Sequence, residues 1–122
     1  MLNVLILITL LITKHFILDF VYQPPYQWQN KGTYGHLGGI IHAGQHAITT
    51  FAILLFFTSP ALAALLGLAE MLLHYHIDWF KMWYGKRKQW KADTHNEFWI
   101  LMGFDQYLHY ITYVLICGIV FL

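Results

Sequence analysis

Four apolar runs, each about as long as a bilayer crossing requires, take up most of this chain of 122 residues. A membrane-spanning helix needs roughly 20 mostly apolar residues. The runs at about 2–22, 37–57, 60–80 and 98–122 meet that length and leave little chain over. Charged residues make up only 11% of the sequence, against about 25% in an ordinary soluble domain, so no soluble module is expected. The reading is all-α: one polytopic membrane domain over 1–122, with four transmembrane helices in an up-down-up-down bundle.

The connections orient that bundle. Helices two and three are joined by little more than "TSP", with Pro60 suited to the first turn of the third helix. The other connections are "QPPYQWQNKGTYGH" and "KMWYGKRKQWKADTHNE". Pro24 and Pro25 are expected to stop the first helix, and the glycines at 32, 35, 38 and 39 to loosen the entry to the second. Lys31, Lys81, Lys86, Arg87, Lys88 and Lys91, six of the seven basic residues, lie on these two connections, which four spans would put on one side. The positive-inside rule makes that side cytoplasmic and puts both termini on the non-cytoplasmic side. All five tryptophans fall on or beside the same connections, as an interfacial aromatic belt would. The N-terminal run has no basic residue before its apolar core and no small-residue cleavage site, and is expected to stay as the first helix rather than act as a secretion signal.

Polar residues inside the runs form a pattern. The first run carries His15 and Asp19, the second His42 and His46, the third His74 and Asp78, the fourth Asp105 and His109. Every pair is spaced i,i+4, which puts both side chains on one helix face about 6 Å apart along the axis. The pairs lie late in runs one and three and early in runs two and four, so in an alternating bundle all four reach one level near the cytoplasmic end. An aspartate at mid-membrane costs roughly 2.5–3.5 kcal/mol on insertion scales. Three aspartates and five histidines must therefore face inward and find partners. Imidazole with carboxylate suits zinc, iron or manganese, and facing helices that project such ligands inward are the frame of dinuclear carboxylate bundles. Eight ligands suit two divalent ions better than one. The alternatives are His–Asp hydrogen bonds holding helices together and a proton relay or ion path through the bundle.

Other polar residues fit around this constellation. His76 lies two residues from His74, about 200° around the helix, and is expected to face a neighbour or the headgroups. Glu70, one turn before His74 on its face, is a candidate general base, a ninth ligand or a partner orienting a histidine. Gln45 and Gln106 are expected to hydrogen-bond between helices, Lys14 to snorkel or pair with an aspartate, and His36 and His95 to be solvated in loops. Cys117 has no partner for an internal disulfide and reads as a small lipid- or helix-facing residue. The stretch "GKRKQWK" is short and borders a membrane helix, so anionic lipid headgroups at Lys86, Arg87 and Lys88 explain it better than nucleic acid.

Together the motifs "HFILDFVYQ", "HAGQHA", "HYHIDWFK" and "DQYLHY" resemble domain-of-unknown-function family 3307 of small bacterial and phage membrane proteins. The resemblance covers nearly the whole chain. It implies a four-helix integral membrane protein with a polar centre, expected in the bacterial inner (plasma) membrane, and brings no activity with it. The eight His and Asp positions named above are those that match its motifs.

Three functions fit these features. The first is a metal-dependent hydrolase open to the cytoplasmic leaflet and acting on a lipid or membrane-associated substrate, with metal acidifying a bound water and Glu70 or an aspartate moving the proton. The second is a divalent-metal or proton transporter; the apolar outer halves "LNVLILITLLI", "FAILLFF", "ALAALLGLA" and "VLICGIVFL" speak against a path through one protomer, though a homo-oligomer could supply one. The third is a structural metal locking a bundle that binds a partner protein.

Overall fold

The computed structural model describes residues 1–122 and contains helices only. Helix α1, Leu2–Phe16, passes without a break into a π-helical turn, Ile17–Val21, closed by the Tyr22 amide donating to the Ile17 carbonyl at 2.7 Å. A short helix α2 (Pro25–Trp28) follows, then α3 (Leu37–Leu54), α4 (Pro60–Lys88) and α5 (Asn96–Phe121).

Local chemistry sets these ends. Pro24 and Pro25 do end the first helix, but they also start α2, with Pro25 at its first position where no amide hydrogen is needed. The Ser59 hydroxyl accepts from the Leu62 amide and Pro60 opens α4. The third run was expected to stop near 80; α4 continues to Lys88. Lysine and arginine are good helix formers, and at Lys86, Arg87 and Lys88 they complement the negative end of the helix dipole. Gln89 then stops the helix in the left-handed region (φ 57°), its amide donating to carbonyls of the last turn. Helix α3 ends at Leu54, short of the expected 57.

Three helical stretches are long and apolar enough to cross a membrane: Leu2–Val21, Pro60–Lys88 and Asn96–Phe121. Helix α3 is not among them, because its 18 residues include Gly38, Gly39, Gly44, His42, Gln45 and His46. It is instead the inner helix, packed most extensively against α4 and touching α1 and α2.

One end of the bundle is apolar. Leu7 and Leu11 of α1, Leu54 of α3, Ala63 and Leu66 of α4, and Tyr113, Ile116 and Cys117 of α5 form a single buried cluster. It joins the N-terminal halves of α1 and α4 to the C-terminal halves of α3 and α5. Cys117 is therefore helix-facing. Large apolar side chains cover the outside, among them Leu5, Leu65, Leu72, Ile100 and Leu115, as a lipid-facing surface would require.

At the other end the first connection folds back onto the bundle. Gly38 and Gly39 are buried and helical, and the chain from Tyr26 to Lys31 rests directly on them. A Cβ on Gly39 would come within 3.2 Å of Lys31 Cα. These glycines admit the connection rather than loosen the helix entry. The seated connection carries Lys31 into the interior.

Candidate metal centre

Just beyond the apolar cluster, the four i,i+4 pairs meet. Each histidine of the four pairs is buried, as are Asp78 and Asp105, and only 3% of the Asp19 side chain is exposed. Asp19 hangs from the π-helical turn, an element common at functional sites.

All five Nε2 atoms lie within 3.3 Å of an oxygen of Asp19 or Asp78. His42 and His46 each reach Asp19 Oδ1 at 3.0 Å, and His15 reaches Asp19 Oδ2 at 3.3 Å. His74 and His109 approach the two oxygens of Asp78, both at 3.3 Å. The rings crowd one another: those of His46 and His74 stack at 3.8 Å, and His42 Nε2 is 3.1 Å from His74 Nε2. Three overlapping groups of ligand atoms are compact enough to hold a metal ion: Asp19, His42, His46 and His74; His15, His74 and His109; and Asp19, His74, Asp78 and His109. His74 belongs to all three. Asp105 belongs to none and is held instead by Lys81, at 3.0 Å, and by the Gln106 amide.

Hydrogen bonds at the outer ring nitrogens distinguish the histidines. The Lys14 ammonium lies 3.1 Å from His46 Nδ1 and can only donate, which fixes the His46 proton on Nε2, facing Asp19. Gln106 donates its amide to Asp105 and so turns its carbonyl to His15 Nε2 (3.0 Å), while the Tyr113 hydroxyl meets His15 Nδ1 at 2.9 Å. His15 therefore also carries its proton on Nε2. His42 is not fixed in this way: Gln27, whose amide donates to Gln45, presents its oxygen to His42 Nδ1 at 3.3 Å, while the Gln23 amide lies 3.1 Å from Nε2 and 3.4 Å from Nδ1. His42 Nε2 faces two carboxylates at 3.0 and 3.3 Å. Carboxylates at that distance need a cation beside them, a proton on Nε2 or a metal ion bound to it. A ligating histidine that donates from its other nitrogen has this same arrangement.

Three lysines belong to the centre, Lys14 and Lys31 buried and Lys81 partly so, and sequence reasoning missed two of them. Lys14 pairs with Glu70 rather than with an aspartate or the headgroups. Lys31 and Lys81, counted only as markers of the basic side, reach Asp78 and Asp105, both at 3.0 Å. Glu70 lies behind the His46 ring, 3.9 Å from Nδ1, with its second oxygen buried and unpartnered. His76 faces away from the centre and meets the Tyr34 hydroxyl at 3.0 Å. His36 and His95 are not simply solvated: His36 Nδ1 caps α3 by accepting from Gly38, and His95 Nδ1 accepts from the Lys91 amide. Gln45 and Gln106 both bond between helices as expected, Gln45 to Gln27 of α2 and Gln106 of α5 to His15 of α1.

The centre is not sealed. A cavity of about 550 Å³ opens beside it on the side of the long connections, and Asp19, Gln23, Lys31, Lys81 and Gln106 are among the residues that line it. Asp19 thus touches both the histidine cluster and the cavity.

The sequence matches the family described as a protein of unknown function (DUF3307) over residues 6–122, and the chain belongs to that family. No curated protein and no solved structure matches it.

Proposed function

We propose that this chain is a four-span membrane protein whose polar centre binds a divalent metal ion and serves hydrolysis of a membrane-associated substrate. The observation that carries this reading is the convergence of five imidazoles on Asp19 and Asp78 beside an open cavity that Asp19 also lines. A closed ligand cage would suit a structural metal; a ligand exposed to a substrate-sized space suits a catalytic one.

The residues that would hold the ion are His42, His74, His109, Asp19 and Asp78. His15 and His46, with protons on their inner nitrogens, would orient Asp19 instead. Charge favours one ion over two. Asp19, Glu70, Asp78 and Asp105 against Lys14, Lys31 and Lys81 leave one surplus negative charge with the histidines neutral. One dication takes the sum to +1, whereas a second would take it to +3 in a buried site. When bound, such an ion acidifies water and polarises an ester or phosphoryl oxygen. Asp19 would take the proton from the attacking water, whose oxygen forms the new bond, and return it to the departing oxygen. Glu70 would act as a positioning residue through Lys14 and His46, too far behind the ring to meet a substrate.

Transport is the weaker reading, since Leu7, Leu11, Leu54 and Leu66 fill the bundle on the far side of the centre. The test is elemental analysis of the detergent-purified protein, paired with turnover of a p-nitrophenyl phosphodiester. About one equivalent of metal is expected in wild type and in His76→Ala, and none in His74→Ala. Turnover should fall at least 100-fold in Asp19→Asn. Metal-free wild type would overturn the reading. Bound metal with turnover no higher than in Asp19→Asn would reduce the site to a structural one.

A further inference from the structure

The cavity beside the centre has a second part. Its lining includes Lys31, Lys81 and Lys86 together with the apolar Trp90, Phe98 and Met102. Lys31 and Lys81 are occupied by Asp78 and Asp105, but Lys86 is exposed and has no carboxylate partner. A smaller pocket of about 230 Å³ lies between α4 and α5, its surface mostly from Leu73, Ile77, Phe80, Phe104 and Leu108, with His76 and the paired Lys81 and Asp105 at its edge. Lys81 and Leu101 line both. A cationic chamber thus adjoins an apolar slot on the outer face of the α4–α5 pair, with one lysine and one leucine between them.

We propose that the two cavities together bind an anionic amphiphile, its phosphate in the chamber against Lys86 and Lys81 and its hydrocarbon chain in the α4–α5 slot. Charge complementarity points to the phosphate: three lysines and a single carboxylate, Asp19, line the chamber, while Glu70 and Asp78 lie deeper in the centre and repel an anion from going further. The adjoining slot points to a lipid tail, because a soluble phosphate compound would leave that apolar surface empty. A chain lying in the slot would reach the chamber sideways, from the leaflet, without leaving apolar surroundings. The proposal deepens the hydrolase reading by naming the substrate class as phosphate-bearing lipid.

The experiment is a calorimetric titration of the full chain in detergent, stripped of metal with a chelator. The probes are dioctanoyl phosphatidic acid, dioctanoylglycerol and inorganic phosphate. Phosphatidic acid should bind saturably and at least tenfold more tightly than either of the others. Lys86→Gln, a change at an exposed side chain, should weaken it about fivefold or more. Leu101→Trp, which fills the junction, should abolish lipid binding and leave phosphate binding unchanged. Equal affinity for inorganic phosphate and phosphatidic acid would overturn the lipid assignment in favour of a soluble phosphate. Equal binding of dioctanoylglycerol, or full affinity in both variants, would overturn the chamber as an anion site. Because no metal is present, these outcomes are independent of whether the centre is a metal site.

Discussion

At the residue scale, two kinds of polar pair hold the centre together: those four residues apart on one helix, such as His15 with Asp19, and those that cross between elements, such as Lys14 with Glu70. The spacing of His15 to Asp19 or His74 to Asp78 follows from one helix alone, so four such pairs could be read off the sequence and brought to one depth. Which cation meets which carboxylate across helices depends on rotation and register, which spacing does not reveal. Hence Lys31 and Lys81 read as surface charge although they reach Asp78 and Asp105, and Lys14 read as a side chain that snorkels or pairs with an aspartate although it meets Glu70. The proton positions on His15 and His46, which divide the histidines by role, rest on those same cross-helix bonds. The Lys14–Glu70 pair gives a direct prediction. Removing one partner of a buried ion pair costs about 3–5 kcal/mol, whereas replacing both by apolar residues of similar size is often near neutral. Lys14→Met should therefore lower the unfolding temperature in detergent sharply, and Lys14→Met with Glu70→Leu should restore most of it. Equal losses in the single and double variants would mean that the pair does not act as a unit.

At the scale of elements, apolar length located the helices and missed their ends and their packing. The eight extra residues of α4 beyond 80 are polar or amphipathic, so a hydropathy reading stops where the helix does not. The π-helical turn at Ile17–Val21 leaves no mark in composition. The glycines of α3 and α4 differ in what surrounds them. Gly67 of α4 lies against the Ala47 carbonyl of α3, 3.0 Å from where its Cβ would stand, while a Cβ on Gly44 would meet only the flexible end of Met71, at 4.0 Å. Close backbone approach across small residues is how membrane helices gain packing. Both substitutions to alanine improve helix propensity, by roughly 0.5–1 kcal/mol. Gly44→Ala should keep that gain, and Gly67→Ala should destabilise by about 1 kcal/mol or more as α3 and α4 part. Thermal unfolding in detergent gives the two signs, and the same sign for both would rule out a tight α3–α4 seam.

At the scale of the whole molecule, the sequence was most informative where charge and aromatic residues agree. Trp79 and Trp83 stack at 5.6 Å, and Arg87 lies over Trp83 at the same distance, so one end of the bundle is both cationic and aromatic. With that end cytoplasmic and four spans, a lone thiol at Asp93→Cys should react with an impermeant maleimide only after cells are opened, and one at Leu122→Cys in intact cells, both on a Cys117→Ser background. Labelling of both from the same side would remove the four-span arrangement, in which α3 crosses despite its modest apolarity. The position of the centre along the bundle has an electrical consequence. His15 lies thirteen residues past Leu2, roughly 20 Å of helix at 1.5 Å per residue, and the apolar cluster fills that length. In the proposed four-span arrangement the transmembrane voltage would fall mainly across the apolar half, and a cation entering through the cavity would cross little of it. A charge traversing the full field would gain or lose about 2.3 kcal/mol per 100 mV. Metal uptake from the basic side of proteoliposomes should accordingly hold the same affinity as the imposed potential is stepped, whereas a site reached from the opposite side would shift with every step.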